Sequence, residues 1–236
     1  MKVDFDTEKV ILWGMDENTP EYEVADRVLR FIDERQDMPV ATVNNGQPEC
    51  RICAFDRLSD GALYFMTSKG KPLYGQLKKT PQLVICTMAE DCFSLRLHGF
   101  VKEIGKGAEW DEFFGLNPGT LKMYRNNLDI MALFRIEKGE GEVFHLYGAD
   151  KVKRLRFSFG GLKKVPMTYY INEEMCIGCG ECFRNCAEEA IRPTAEGKYR
   201  ISCADCDGCG ICYTHCPLAG SALINRIETE KGYFEE

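Results

Sequence analysis

No apolar run in this chain approaches the roughly 18–20 residues needed to cross a bilayer, so no membrane-spanning helix is expected. A surplus of positive charge is also missing: the 236 residues carry a formal net charge of −7. Phosphate-backbone binding needs a basic surface, and no nucleic-acid partner is expected. The opening Met1-Lys2-Val3-Asp4-Phe5-Asp6 is acidic and broken by charge, unlike a secretory signal. The expected compartment is therefore the cytoplasm. Disorder lacks support too, because 44% hydrophobic and 28% charged residues are an ordinary globular balance.

Cysteine, by contrast, is abundant, with 13 residues. Disulfide frameworks belong to oxidising compartments and small secreted chains, and nothing here indicates either. Nine of the thirteen fall within Cys176–Cys216, at a regular spacing that reads as metal ligation. Cys176, Cys179, Cys182 and Cys186 recur as Cys206, Cys209, Cys212 and Cys216, each offset by 30 residues, and Gly178 and Gly180 recur as Gly208 and Gly210. A short apolar turn follows each block, Ala190-Ile191 and Leu223-Ile224. Two copies of one unit imply a pseudo-twofold axis.

Each half reads C-x2-C-x2-C-x3-C. Thiolates are soft ligands suited to iron–sulfur clusters, and three close-spaced ones can wrap three corners of a cube. The glycines let the backbone bend around the cluster and aim N–H groups at its sulfurs. In such runs the fourth cysteine serves the other cluster. Cys176, Cys179, Cys182 and Cys216 are then expected on one 4Fe–4S cluster, and Cys206, Cys209, Cys212 and Cys186 on a second. A zinc ribbon would offer two pairs and not two quartets. The region 171–227 resembles the two-cluster bacterial ferredoxins over its whole length. It departs from them at Ala187, where that family has proline, as the second half does at Pro217. It departs also at Cys203, which creates the alternative register Cys203-Cys206-Cys209; only Cys206-Cys209-Cys212 keeps the symmetry, so Cys203 is read as a spare thiol. His215, between ligands, is read as a solvated surface residue.

Ahead of this region the pattern changes. Val24, Val28, Leu29, Phe31 and Ile32 recur at helical spacing. Pro39–Val43 and Pro48–Phe55 read as strands joined through Asn44-Asn45-Gly46, a hairpin signal because Asn and Gly tolerate positive φ. Ser59-Asp60-Gly61 is the next turn, before a strand at Ala62–Thr67. Lys71-Pro72 opens a helix reaching Lys79, with Pro72 suited to its first turn, and Thr80-Pro81 closes it. Further strands are expected at Leu83–Met88, Phe93–Ile104, Met131–Ile136 and Val143–Tyr147, with a helix at Glu109–Phe114. Many short strands with inserted helices suggest a barrel or sandwich.

Residues 24–147 resemble the flavin-binding split barrels of the pyridoxamine-phosphate oxidase family. The resemblance rests on the first helix, Pro39-Val40-Ala41-Thr42-Val43, Asn45-Gly46-Gln47-Pro48, Arg51, Leu63-Tyr64-Phe65-Met66-Thr67-Ser68, Lys71 and Thr80-Pro81. It implies FMN, with Arg51, Thr67, Ser68 and Lys71 at the phosphate and the backbone near Ile52 and Cys53 along the ring. The chemistry agrees: Thr67, Ser68 and Lys71 lead into a helix whose free N–H groups favour an anion, and Arg51 offers a fork for phosphate oxygens. The basic and aromatic substrate groups of the oxidase itself find no match after Tyr147, so oxidation of pyridoxamine phosphate is not expected. Split barrels of this family dimerise with flavin at the interface, which implies a homodimer.

Among single residues, Cys50 and Cys53 point to opposite faces of a strand and are read as packing, with Cys53 on the face of Arg51. Cys86 is read as core, His98 and His145 as satisfied structure, and Trp13 and Trp110 as packing. Residues 151–170 hold six basic and no acidic side chains between two acidic bodies. This joint reads either as a solvated linker or, from Phe157 and Phe159, as an added strand with a buried face that docks the ferredoxin region.

The expected architecture is a mainly β split barrel with inserted helices (1–150), a basic linker or docking segment (151–170), and a small α+β two-cluster ferredoxin-like domain with a short acidic tail (171–236). The expected function is that of an FMN-dependent oxidoreductase of oxygen-poor cells. It would pass electrons between two 4Fe–4S clusters and FMN, acting on a small molecule or a redox partner protein. The rival reading is a non-catalytic electron carrier whose barrel docks a partner or binds haem or a deazaflavin.

Overall fold

The structure is a computed structural model that describes residues 13–88, 93–145, 153–164 and 166–229. Helix α1 (Glu21–Arg35) buries Val24, Ala25, Val28, Leu29 and Ile32 along one face, the i, i+4, i+8 stripe that the sequence spacing predicts. Strands β1 (Asp37–Asn44) and β2 (Gln47–Ala54) pair antiparallel in full register around a two-residue turn. Asn45 and Gly46 take φ of 49° and 83° there, the two left-handed residues that a hairpin turn matching strand twist requires. The chain continues through β3 (Asp56–Arg57), β4 (Leu63–Ser68), α2 (Pro72–Lys79), β5 (Gln82–Met88), β6 (Phe93–Ile104), α3 (Ala108–Leu116), α4 (Pro118–Tyr124) and β7 (Met131–His145). Strand β8 (Lys153–Phe159) pairs with β7. The sheet runs in the order β2-β1-β5-β6-β7-β4-β3, with β8 beside β7.

This curled antiparallel sheet wraps a core that includes Val40, Phe55, Leu63, Phe65, Ile85, Leu97 and Phe134, closed by α1. Trp13 stacks on Phe31 with ring centroids 4.7 Å apart. A second cluster forms where α3 sets Trp110, Phe113 and Phe114 against Tyr64 and Leu133. Both tryptophans therefore pack.

Four expectations change. Met131–Ile136 and Val143–His145 are not parts of two strands but of one long β7, and Leu146 and Tyr147 lie outside the described residues. Gly139 and Gly141 sit between them where side chains cannot: a Cβ would stand 2.9 Å from Leu97 Cδ1 at the first and 2.1 Å from the Arg96 carbonyl oxygen at the second. Glycine here permits a close strand approach. Helix α4 was not expected. Cys86 is not core: strand alternation buries Leu83 and Ile85 and leaves Cys86 exposed. Cys50 is likewise exposed, whereas Cys53 packs against the core. Cys92 lies outside the described residues.

From Lys153 to Phe159 the basic joint is a strand and not a solvated linker. Strand β8 pairs with β7 from Gly139↔Phe159 to His145↔Lys153, and Phe157 is fully buried in the barrel core. Lys151 lies outside the described residues. Glu21 of α1 accepts from the Ser158 hydroxyl at 2.5 Å and pairs with Lys164 at 2.9 Å.

The C-terminal part holds β9 (Tyr169–Ile171), α5 (Glu181–Arg184), β10 (Ile191–Pro193), β11 (Tyr199–Ile201), α6 (Ile211–His215), β12 (Leu223–Asn225) and α7 (Arg226–Thr229). β10 pairs with β11 and β12 with β9, so each half of the repeat completes the other's hairpin. Three of the eight residues in its buried cluster are cysteines, Cys182, Cys206 and Cys212. So small a unit has little core of its own, and its interior is organised about the thiols. Among the described residues no helix is long and apolar enough to cross a membrane.

Candidate cofactor sites

The two cysteine blocks adopt one local design. Gly178, Gly180, Gly208 and Gly210 all have positive φ, between 70° and 82°. Gly180 and Gly210 stand in left-handed conformation at the N-termini of α5 and α6. These bends turn each trio of cysteines back on itself. Cys176, Cys179, Cys182 and Cys216 line one cavity together with Ile171, Leu218 and Leu223. Burial pushes the Cys182 thiol up to about 11, and Cys216, Cys176 and Cys179 lie close enough to add to the rise. Burial pushes Cys212 up to about 12, with Cys206, Cys209, Cys182 and Cys186 adding to it. Cys206 and Cys209 are raised by burial too, and both sense Cys186. Each trio thus lies beside the fourth cysteine of the other half.

Backbone N–H groups reach the sulfurs: Gly208 donates to Cys206 Sγ and Ala190 to Cys186 Sγ, both at 3.3 Å. Among the described residues no three His, Cys, Asp or Glu side chains converge on a single metal ion; the first quartet rings a cavity instead. Cys203 is exposed, and His215 is exposed at the end of α6.

The sequence reading missed that the repeat includes aromatics. Tyr169 and Tyr199, like Phe183 and Tyr213, are 30 residues apart. Tyr199 lies 5.6 Å from Phe183 and Tyr169 lies 5.9 Å from Tyr213, centroid to centroid. The Tyr199 hydroxyl stands 2.9 Å from where a Cβ on Gly180 would be, and that of Tyr169 stands 2.6 Å from one on Gly210. Each half covers the cysteine loop of the other with a tyrosine. The offset of 30 would have revealed both pairs.

In the barrel, Arg51, Ile52, Cys53, Thr67 and Lys71 line one cleft of about 610 Å³ with Glu49, Met66 and Leu73. This size suits a small organic cofactor. Lys71 caps α2 from an extended conformation, with Pro72 in the first turn, and Lys71, Pro72 and Leu73 bring the start of that helix to the cleft. Ser68 is not brought to the cleft; its hydroxyl accepts from the Gly70 N–H at 3.3 Å and closes the turn. Burial pushes the Cys53 thiol up to about 11, against the pull of Arg51 and Lys71.

Arg51 is already held in place. Its guanidinium donates to Thr42 Oγ1, and to Glu49 Oε2 and Gln76 Oε1 at 3.0 Å each. Gln76 donates to Glu49 at 2.8 Å and accepts from Thr42 at 2.6 Å. Thr42 and Gln76 are both buried, so the network fixes the Arg51 fork to β1 and α2. A phosphate at Arg51 would compete with the Glu49 carboxylate. Sequence reasoning had overlooked Glu49, Thr42 and Gln76; Gln76 on the buried stripe of an amphipathic helix was the available signal.

Residues 170–223 match the family model described as 4Fe-4S dicluster domain. The C-terminal unit is a 4Fe–4S dicluster domain. The match includes all eight repeated cysteines of this domain. For the barrel, the NimC/NimA family protein of Clostridium acetobutylicum superposes with a TM-score of 0.51 at 24% identity, covering 59% of this chain and 94% of that one. A pyridoxamine 5′-phosphate oxidase-related, FMN-binding protein of Nostoc punctiforme has a TM-score of 0.36 at 14% identity, covering 59% and 98%. The first likeness is one of fold: the chain is a split barrel followed by the dicluster domain. No curated protein matches the chain at a significant level.

Proposed function

We propose that this chain is a flavo-iron–sulfur redox protein. In this reading Cys176, Cys179, Cys182 and Cys216 hold one 4Fe–4S cluster, and Cys206, Cys209, Cys212 and Cys186 hold the other. FMN occupies the barrel cleft, with Arg51, Lys71, Thr67 and the first turn of α2 at its phosphate and the β2 backbone near Ile52 and Cys53 along its ring. The clusters would supply one-electron steps and the flavin two-electron chemistry toward a small molecule or a redox partner. The chain's own part is to hold both cofactor sites on one rigidly paired sheet and its attached domain. A shared chain replaces a bimolecular encounter with an intramolecular one.

The observation that carries the reading is that one chain holds both a cleft lined by Arg51 and Lys71 and a cysteine repeat whose first quartet rings a cavity. The Arg51 network fits an anion as well, because Thr42 and Gln76 hold the fork in place when Glu49 yields. A homodimer belongs to the same proposal: Val43, Cys50, Ile52, Cys86 and Met88 are exposed on the outer face of β1, β2 and β5, and a contiguous apolar face of this kind marks an interaction surface. A second copy of this chain is the proposed occupant. Cofactor extraction and an absorption spectrum of anaerobically purified protein test the central reading: flavin bands over broad cluster absorbance support it, and haem bands or a colourless barrel refute it.

A further inference from the structure

Among the described residues, Arg154 hydrogen-bonds the barrel to the dicluster domain. Arg154 lies on β8, and its backbone N–H donates to the Ala204 carbonyl at 2.8 Å, two residues before Cys206. Its guanidinium donates to the Asp207 carbonyl at 3.2 Å, and Nη1 lies 3.9 Å from the position of a Cβ on Gly208. The Asp207 carboxylate is occupied elsewhere, accepting from the Cys209 N–H at 2.9 Å. The Arg154 side chain is only 11% exposed and lies 4.5 Å over the Phe144 ring of β7. Among the described residues its ion pair is with Glu142, at 3.4 Å, and Arg96 and Arg156 share that carboxylate at 3.2 and 3.7 Å. Three guanidiniums thus divide one carboxylate, so Arg154 is not neutralised by a partner of its own.

We propose that Arg154 selectively raises the reduction potential of the Cys206-Cys209-Cys212-Cys186 cluster. The inference rests on the ligand assignment given above. A cluster that takes up an electron gains negative charge, and nearby charge and hydrogen bonding set its potential. A buried cation is screened far less than one in water, so Arg154 stabilises the reduced form of the cluster beside it. The first quartet has cations of the dicluster domain itself beside it: Lys198 Nζ donates to the Cys176 carbonyl, and Arg184, exposed and paired with Glu181 at 2.5 Å, donates to the Cys179 carbonyl at 3.0 Å. Arg154 differs from both in coming from the barrel, which thereby acts on one cluster of a nearly symmetric repeat.

The test is a dithionite redox titration of the intact protein followed by electron paramagnetic resonance. The barrel-side signals are assigned by their change in Cys209→Ser. Arg154→Gln should lower the midpoint of that cluster and leave the other unmoved, while Arg154→Lys should restore most of the wild-type value. Glu142→Gln keeps every backbone contact of Arg154 and should shift the same cluster upward. Potentials equal to wild type in Arg154→Gln at full iron content, or an equal shift of both clusters, would overturn the proposal. If Arg154→Gln loses iron, Glu142→Gln decides: a selective upward shift supports the proposal and no shift overturns it. Failure of wild-type protein to hold about eight irons would instead refute the ligand assignment.

Discussion

At the scale of single residues, the barrel cleft is decided by a competition. Arg51 can fork onto phosphate oxygens, but Glu49 already holds one arm of it at 3.0 Å. Arg51→Ala should weaken FMN binding by about one to two decades, since a hydrogen bond to a charged group contributes roughly 1.5–3 kcal/mol. Lys71→Ala should weaken it as well, and both variants should keep full iron. Glu49→Gln removes the competing charge and should tighten binding. Fluorescence titration of flavin-stripped protein measures all three, and flavin retention unchanged in both cation variants would remove Arg51 and Lys71 from the site. In the other site, Cys203→Ser should leave iron content unchanged. Loss of one whole cluster would show that the register is Cys203-Cys206-Cys209 and not the symmetric one. The sequence made these residues legible to different degrees. The cysteines announce themselves through a repeat, and Arg51 and Lys71 through a family frame. Glu49 and Gln76 have no motif, and only the pairing of β1 with β2 and the seating of α2 bring them to Arg51.

Among the elements, β8 changes the picture most. Its basic residues suggested a solvated joint as readily as a strand, because composition does not reveal which charges find partners. The aromatic alternation was the better guide: Phe157 points into the core and is fully buried. Phe157→Ala should cost about 3–5 kcal/mol, the range for truncating a buried aromatic, read as a lowered midpoint in urea unfolding of the barrel. A loss below about 1 kcal/mol would mean that β8 is not part of the barrel's core. Strand β7 teaches the converse. Two strands were expected where one runs through Gly139 and Gly141, at which neighbouring chain and rings leave no room for a side chain. Gly141→Ala would drive a methyl group onto the Arg96 carbonyl oxygen and should destabilise the barrel, whereas a true loop glycine would tolerate alanine.

For the molecule as a whole, the two-unit fold was legible, because the cysteine repeat and the strand pattern each specify a unit. The seam between the units was not legible, since Arg154 meets residues distant from it in sequence. The outer face of β1, β2 and β5 extends the account to assembly: Val43→Glu should shift the protein from dimer to monomer in light scattering, and an unchanged dimer would place the interface elsewhere. Metal removal should unfold the dicluster domain selectively, because an interior built around thiols depends on its clusters. The most direct test of the account is cofactor stoichiometry in anaerobically purified protein. It predicts about eight irons and about one FMN per chain, whereas about two zinc ions without visible absorbance would contradict it.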